Sequence, residues 1–158
     1  MKTSALIRKE VEKRFGFFPP FFEPALETPD ILENLWQQTL SAYVNNPIHP
    51  LFKEKLFAYL SRFCSIPYCI VCHSCALRPM RMTAHDVMKM LEEPAPYDEI
   101  EIRAQISLLN ATNPFNDWPE KDSEIEESLF ACSVFIFLEP SRSEQCRAEL
   151  RRVLGTKI

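Results

Sequence analysis

The sequence predicts an all-α fold of about seven to eight helices, on two observations. Only two glycines, Gly16 and Gly155, occur in 158 residues, so the glycine that tight hairpin turns require is scarce. Thirteen prolines stand mostly between segments whose apolar residues recur at helical spacing. A chain of this length can bury a hydrophobic core without disulfides, so we expect one domain, residues 1–158.

The first half of the chain contains four predicted helices. The first covers TSALIRKEVEKRF, residues 3–15, and an ordered loop rich in phenylalanine and proline follows it. Thr28 before Pro29 is an N-cap and first-turn pair, which opens a second helix that stops near Asn45. A third helix begins at about Pro50, and its predicted inward residues are Leu51, Leu56, Phe57, Leu60 and Phe63.

Pro67 separates the third helix from the fourth. Proline disfavours the helical region for the preceding Ile66 and prefers the first turn of a helix, so PYCIVCHSCALR restarts there. This places Cys69 in the opening turn.

Four further helices are predicted in the second half. Thr83 caps AHDVMKMLEE, Asp98 or a neighbour starts EIEIRAQISLLNA, and Asp122 or Ser123 starts EIEESLFACSVFIFL. The last helix is SEQCRAELRRVL. The run FACSVFIFL could also be a buried strand, but its acidic lead-in and the lack of pairing partners favour a helix.

Composition limits the partners. The net charge is −4 and no basic run could neutralise a row of phosphates, so we expect no nucleic-acid partner. No Gly-rich phosphate loop is present. The chain has neither an apolar segment typical of a signal peptide nor the roughly 18 apolar residues of a membrane span, which predicts a soluble, cytoplasmic protein.

The most distinctive segment is YCIVCHSC, residues 68–75, with three cysteines and a histidine. Cys69-Ile70-Val71-Cys72-His73 matches the C-x-x-C-H pattern of haem attachment, but that chemistry normally follows export. A tetrahedral zinc site would need distant ligands, since side chains on two turns of one helix cannot all point at one ion. The third interpretation is a thiol redox centre. We expect no cofactor and no metal ion here.

Helical geometry favours the redox interpretation. Residues three and four apart face the same side, so Cys69 can meet both Cys72 and His73. A thiolate in the first turn also faces unsatisfied N–H groups and the positive end of the helix dipole, which makes Cys69 the candidate nucleophile. His73 is the candidate proton relay, with Glu54 of the preceding helix behind it.

Each of these residues also has a purely structural interpretation. Glu54 could be a solvated surface carboxylate and His73 a hydrogen-bonded core histidine. Cys132, within an apolar run, is expected to be core.

The order of the segments resembles a known family. FGFFPPFFEPALETPDILENLWQQTL is followed by LFKEKLFAYLSRFCSIPYCIVCHSCAL, which gives a Gly-x-x-Pro entry, a helix after a proline and a glutamate seven residues before a serine. A Tyr-Cys pair, a histidine four residues after that cysteine and Ala-Leu follow. Over residues 15–80 this is similar to the AhpD-like alkyl hydroperoxidase and carboxymuconolactone decarboxylase family, which implies an AhpD-like helical bundle and a homo-oligomer.

The resemblance also implies roles for individual residues. The peroxidase branch of that family has a glutamate and then Cys-x-x-Cys-x-x-x-His, in which the second cysteine attacks peroxide and the first resolves it. Glu54 takes the relay carboxylate, Cys69 the attacking cysteine and His73 the histidine. The first cysteine falls on Ile66, so another thiol must resolve the oxidised Cys69, and Cys72 has the best spacing.

Two functions follow as expectations. The first is a thiol-dependent peroxidase or disulfide-redox domain acting on a hydroperoxide or a thiol/disulfide substrate, with Cys69 attacking, Cys72 resolving, and Glu54 and His73 relaying the proton. The second is a non-catalytic sensory or dimerisation module. In that case the chain could be the N-terminal input region of a longer protein such as a signalling kinase.

Overall fold

The computed structural model describes residues 2–64, 66–96 and 98–155. Within these ranges the regular structure is entirely helical, which confirms the predicted all-α class. The eight α-helices of the described ranges are α1 Ser4–Phe15, α2 Pro29–Thr39, α3 Pro50–Ser61, α4 Pro67–Leu77, α5 Ala84–Glu92, α6 Glu99–Ala111, α7 Glu124–Leu138 and α8 Glu144–Leu154. No helix among the described residues has both the length and the apolar character needed to cross a bilayer.

The chain divides into two compact units, Met1–Asn46 and Pro47–Ile158. The first unit contains α1, a 3₁₀ helix at Pro20–Ala25 and α2. The second contains α3 to α8 and every residue predicted for the site. That the whole chain acts as one domain stays a prediction, as does its continuation into a longer protein.

The first unit has its own small core. The core side chains are Ile7, Val11, Phe22, Ala25, Leu32 and Trp36. Phe22 is fully buried, so the aromatic segment contributes to this core. Two other phenylalanines of that loop, Phe17 and Phe21, are instead about half exposed, at 59% and 49%.

The beginning and end of α2 differ in detail from the prediction. Thr28 occupies the N-cap position, but its hydroxyl does not cap the helix, because Oγ1 donates back to the carbonyl oxygen of Ala25 at 3.3 Å. At the other end, α2 widens into a π-helical turn over Leu40–Val44. Asn45 closes this turn by donating its N–H to the Leu40 carbonyl oxygen at 2.7 Å.

The caps in the second unit agree with the prediction. Thr83 and Asp86 form a reciprocal capping box at the start of α5. Asp98 accepts hydrogen bonds from two N–H groups of α6, and Ser123 accepts one from α7. FACSVFIFL lies within α7, so the run is helical.

The main core of the second unit lies among α3, α6, α7 and α8. Its buried members are Phe52, Ile102, Leu109, Leu129, Cys132, Phe135, Cys146 and Val153. Cys132 is fully buried, as predicted.

The predicted inward set of α3 is only partly correct. Leu51 is buried, but Phe57 is 37% exposed, whereas Phe52 and Tyr59 are buried. The reason is that α3 packs against α4, α5 and α7, so more than one of its sides is covered. A single apolar stripe cannot identify the buried residues of such a helix.

Candidate functional site

The site begins at the first turn of α4. Pro67 is the first helical residue, and Ile66, in an extended conformation with φ −116° and ψ 93°, is the N-cap. No side chain caps this end, and the Cys69 N–H donates to the Ile66 carbonyl oxygen at 3.0 Å. Cys69 therefore lies in the first turn, near the N–H groups that have no partner within the helix.

A hydrogen bond between α3 and α4 is the central contact. His73 Nδ1 lies 2.9 Å from Glu54 Oε2. Because a carboxylate can only accept, we assign the proton to Nδ1, which leaves Nε2 as the basic nitrogen of the neutral ring. A carboxylate behind an imidazole fixes its tautomer and stabilises the imidazolium form, which suits the pair to proton transfer.

The two partners are unequally shielded from water. Glu54 is 5% exposed, so the interpretation of a solvated surface carboxylate is wrong. The His73 side chain is 26% exposed. A carboxylate at this depth must be compensated by its neighbours, whereas the more open imidazole can still exchange protons with a substrate or with water.

Phe57 adds a face to this pair. It lies one turn after Glu54 on α3, and its ring stacks on the His73 imidazole with centroids 5.2 Å apart and planes 27° apart. The stacking holds the imidazole in one orientation. Helical spacing predicts Phe57 among the inward residues of α3, and the signal that could have indicated its role is its position three residues after Glu54.

A buried lysine adjoins the site residues in sequence. Lys53 is 7% exposed, and burial lowers the pKa of its ammonium group. Nothing in the sequence distinguished Lys53 from Lys55, whose side chain is 14% exposed. Burial of two successive ionisable residues indicates how closely α3 is surrounded.

The cysteines of α4 differ in exposure. Cys69 is half-buried, whereas Cys72 and Cys75 are exposed, and all three are free thiols. Cys69 and His73 are four residues apart on an unbroken helix and therefore lie on the same side of it. Cys69 and Cys72 are three apart, and joining them requires side-chain geometry that a continuing helix does not readily supply.

The other three cysteines, Cys64, Cys132 and Cys146, lie outside α4. Cys64 is exposed, and its Sγ lies 3.6 Å from the Leu60 carbonyl oxygen. Cys132 and Cys146 are in the main core, where the hydrogen bond with Cys146 and burial hold the pKa of Cys132 well above its usual range. A thiol that ionises so reluctantly is a poor nucleophile, which fits a packing role.

Ile66 occupies the position where the resemblance implies a resolving cysteine. Its side chain is 50% exposed at the N-cap of α4.

In the part of the chain that the structure describes, histidine, cysteine, aspartate and glutamate do not gather in any group of three or more that could hold a metal ion.

Comparison of the chain with protein-family models, with curated proteins and with solved structures finds no match. The likeness to the AhpD-like family therefore stays a prediction that rests on the motif spacing. What the fold itself defines is an all-α protein with a buried glutamate and a histidine paired beside a cysteine-bearing helix start.

Proposed function

We propose that this chain is a thiol-dependent redox protein that reduces a hydroperoxide or a disulfide through Cys69. The observation that carries the proposal is the 2.9 Å contact between His73 Nδ1 and the buried Glu54. His73 lies on α4, the helix whose first turn holds Cys69. A thiol, a base and a carboxylate that orients the base are the three parts of an activated nucleophile.

The reaction proceeds in two steps. His73 takes the proton of the Cys69 thiol, and the thiolate sulfur attacks one oxygen of a hydroperoxide. The O–O bond breaks, Cys69 becomes a sulfenic acid, and the relayed proton leaves with the second oxygen as an alcohol. Throughout, the Glu54 carboxylate stabilises the positive charge on the imidazole.

Resolution uses a second thiol. The Cys72 thiol attacks the sulfenic acid of Cys69 with release of water, and a disulfide forms. An external dithiol then reduces that disulfide and regenerates both cysteines. Cys72 is exposed, so it is accessible to such a reductant.

The decisive experiment counts thiols by mass spectrometry after a stoichiometric pulse of cumene hydroperoxide. The wild type should lose two thiols, Cys69→Ser should lose none, and Cys72→Ser should stop at a sulfenic acid on Cys69 that dimedone traps. Cys75→Ser is the matched control, since Cys75 is exposed on the same helix. Thiol loss that does not depend on Cys69 contradicts the proposal.

A second candidate is a non-catalytic sensory or dimerisation module, and the surface of α4 favours it. Only Leu77 of this helix is buried, whereas Ile66, Tyr68 and Val71 are 50%, 42% and 59% exposed. Such an apolar, uncharged surface is costly in water and is typical of an interface. Together with Ile66 at the resolving position, it suits an assembly of this chain that lacks turnover.

Oligomeric state tests that candidate separately. If α4 forms an interface between copies of the chain, the wild type sediments as a homo-oligomer and Val71→Glu shifts it to the monomer. Lys9→Gln at an exposed position of α1 changes the net charge by the same −1 and is the control. A monomeric wild type over micromolar concentrations contradicts the assembly. The redox chemistry can hold in either case. The thiol count therefore decides whether Cys69 is reactive, and the oligomeric state decides whether α4 forms an interface.

A further inference from the structure

A cavity in the second unit lies outside the thiol site. It is bounded by α3, α5 and α7, and its volume is about 530 Å³. This is within the range of about 300–1,000 Å³ that small-molecule sites in proteins occupy. Glu54, Cys69 and His73 are not among the residues that line it.

The cavity has an apolar part. Phe52 is buried and packs on Trp118 and Phe130, with ring centroids 4.9 Å and 6.0 Å away. Met82 and Met90 complete this surface. Aromatic rings and flexible thioethers together accept an apolar group of varied shape.

The charged part of the lining is acidic. Two ammonium groups and five carboxylates line the cavity, which gives a net formal charge of −3. The ammonium groups are Lys55 and Lys89, and the carboxylates are Asp86, Glu93, Asp122, Glu126 and Glu127.

Contacts within the protein compensate part of this charge. Lys55 Nζ is 2.7 Å from Asp122 Oδ1 and 3.9 Å from Glu126 Oε2, so its ammonium group is held by carboxylates. Asp86 accepts hydrogen bonds from the N–H and hydroxyl of Thr83. Glu93 and Glu127 are exposed and outnumber the exposed Lys89, so this side of the cavity keeps a net negative charge.

From this combination we infer that the cavity binds a small organic cation with an apolar or aromatic body. The body contacts Phe52, Phe130 and the methionines, and the cationic group lies toward Glu93 and Glu127. A cation also gains from the aromatic ring faces. An anion of the same size meets the net charge of −3 and is disfavoured.

Three ligands matched in length test this inference: 4-phenylbutylamine, 4-phenylbutanol and 4-phenylbutyrate. NMR titration of the whole chain at low ionic strength gives each dissociation constant. For ligands of this size we expect about 1 mM for the amine. The alcohol should bind about threefold more weakly and the carboxylate about tenfold more weakly.

Variants locate the site. Glu93→Gln with Glu127→Gln should weaken the amine about three- to tenfold and leave the alcohol unchanged. Glu27→Gln with Glu101→Gln removes the same charge from exposed positions elsewhere and should change neither. Met90→Ala should weaken the amine and the alcohol by a similar factor.

Three results overturn the inference. They are amine binding undetectable up to about 20 mM, equal affinity for all three ligands, or equal weakening of the amine by the two double variants. Each leaves the thiol chemistry untouched, because the cavity and the Cys69 site share no lining residue.

Discussion

Glu54 and Glu126 are two carboxylates with nearly the same burial and very different surroundings. Each is 5% exposed, one on α3 and the other on α7. Glu126 accepts hydrogen bonds from Trp118 Nε1 at 3.1 Å and from the Asp122 N–H at 2.9 Å, with Lys55 Nζ at 3.9 Å. Glu54 pairs at 2.9 Å with the imidazole of His73.

The partners of the two carboxylates differ in their proton chemistry. An indole N–H and a peptide N–H never give up their protons at ordinary pH, so the donors around Glu126 are permanent and the carboxylate is a structural anchor. The imidazole of His73 has a second ring nitrogen, so under the proposed function it can take a proton at Nε2 while Nδ1–H stays on Glu54. Equal burial therefore serves the fold at Glu126, and under the proposed function it supports proton transfer at Glu54.

The largest expected effect comes from removing the structural carboxylate. Glu126→Leu leaves the Trp118 indole N–H and the Asp122 N–H without an acceptor, and we expect it to lower the free energy of unfolding by about 2–4 kcal/mol. Glu54→Gln keeps an acceptor for His73 and should cost less than about 1 kcal/mol. Urea denaturation followed by circular dichroism measures both. Similar losses for the two variants would break the comparison.

The second prediction concerns the rate of Cys69 oxidation, on which the Glu54 variant should have the larger effect. Under the proposed function, Glu54→Gln removes the charge that stabilises the His73 imidazolium, so oxidation of Cys69 by hydroperoxide should slow about tenfold or more at pH 7. Glu126→Gln should leave that rate within about twofold, since Glu126 accepts from an indole N–H and a peptide N–H that take no part in the proposed proton transfer. Stopped-flow thiol assays at a temperature where both variants are folded measure the rates. Equal slowing would mean that Glu54 acts only through the fold.

The smallest effect concerns Asp122, one of the two carboxylates that Lys55 Nζ contacts. The hydrogen bond from Lys55 lowers the pKa of Asp122 from its ordinary value of 3.8. Because the folded pKa is the lower one, this stabilisation is present above pH 3.8 and is lost as the pH falls through the folded pKa. The Asp122 side chain is 60% exposed, so solvent screening limits the effect to a few tenths of a kcal/mol.

Asp122→Asn tests that dependence. Asp122 has a positive φ of 58°, which asparagine also tolerates, so the variant changes charge without adding backbone strain. The free energy of unfolding should fall less steeply between about pH 4 and pH 2 in the variant than in the wild type. Identical slopes would assign the acid sensitivity to other carboxylates.

Helix starts are the part of the fold that the sequence predicted best. Pro67 begins α4, and Thr83, Asp98 and Ser123 cap their helices, because proline geometry and N-cap hydrogen bonds act within a few residues. The exception is Thr28, whose hydroxyl has a competing local acceptor in the Ala25 carbonyl.

The candidate site also combines features that the sequence predicts with features that it does not. The sequence itself determined that Cys69 opens a helix and that His73 lies four residues further on the same side, since both follow from proline and helical periodicity. Only the tertiary structure decided that Glu54 is buried and reaches His73 and that Phe57 stacks on the imidazole. Those contacts depend on how α3 packs on α4 and is covered by α5 and α7, and a local pattern contains no information about packing between helices.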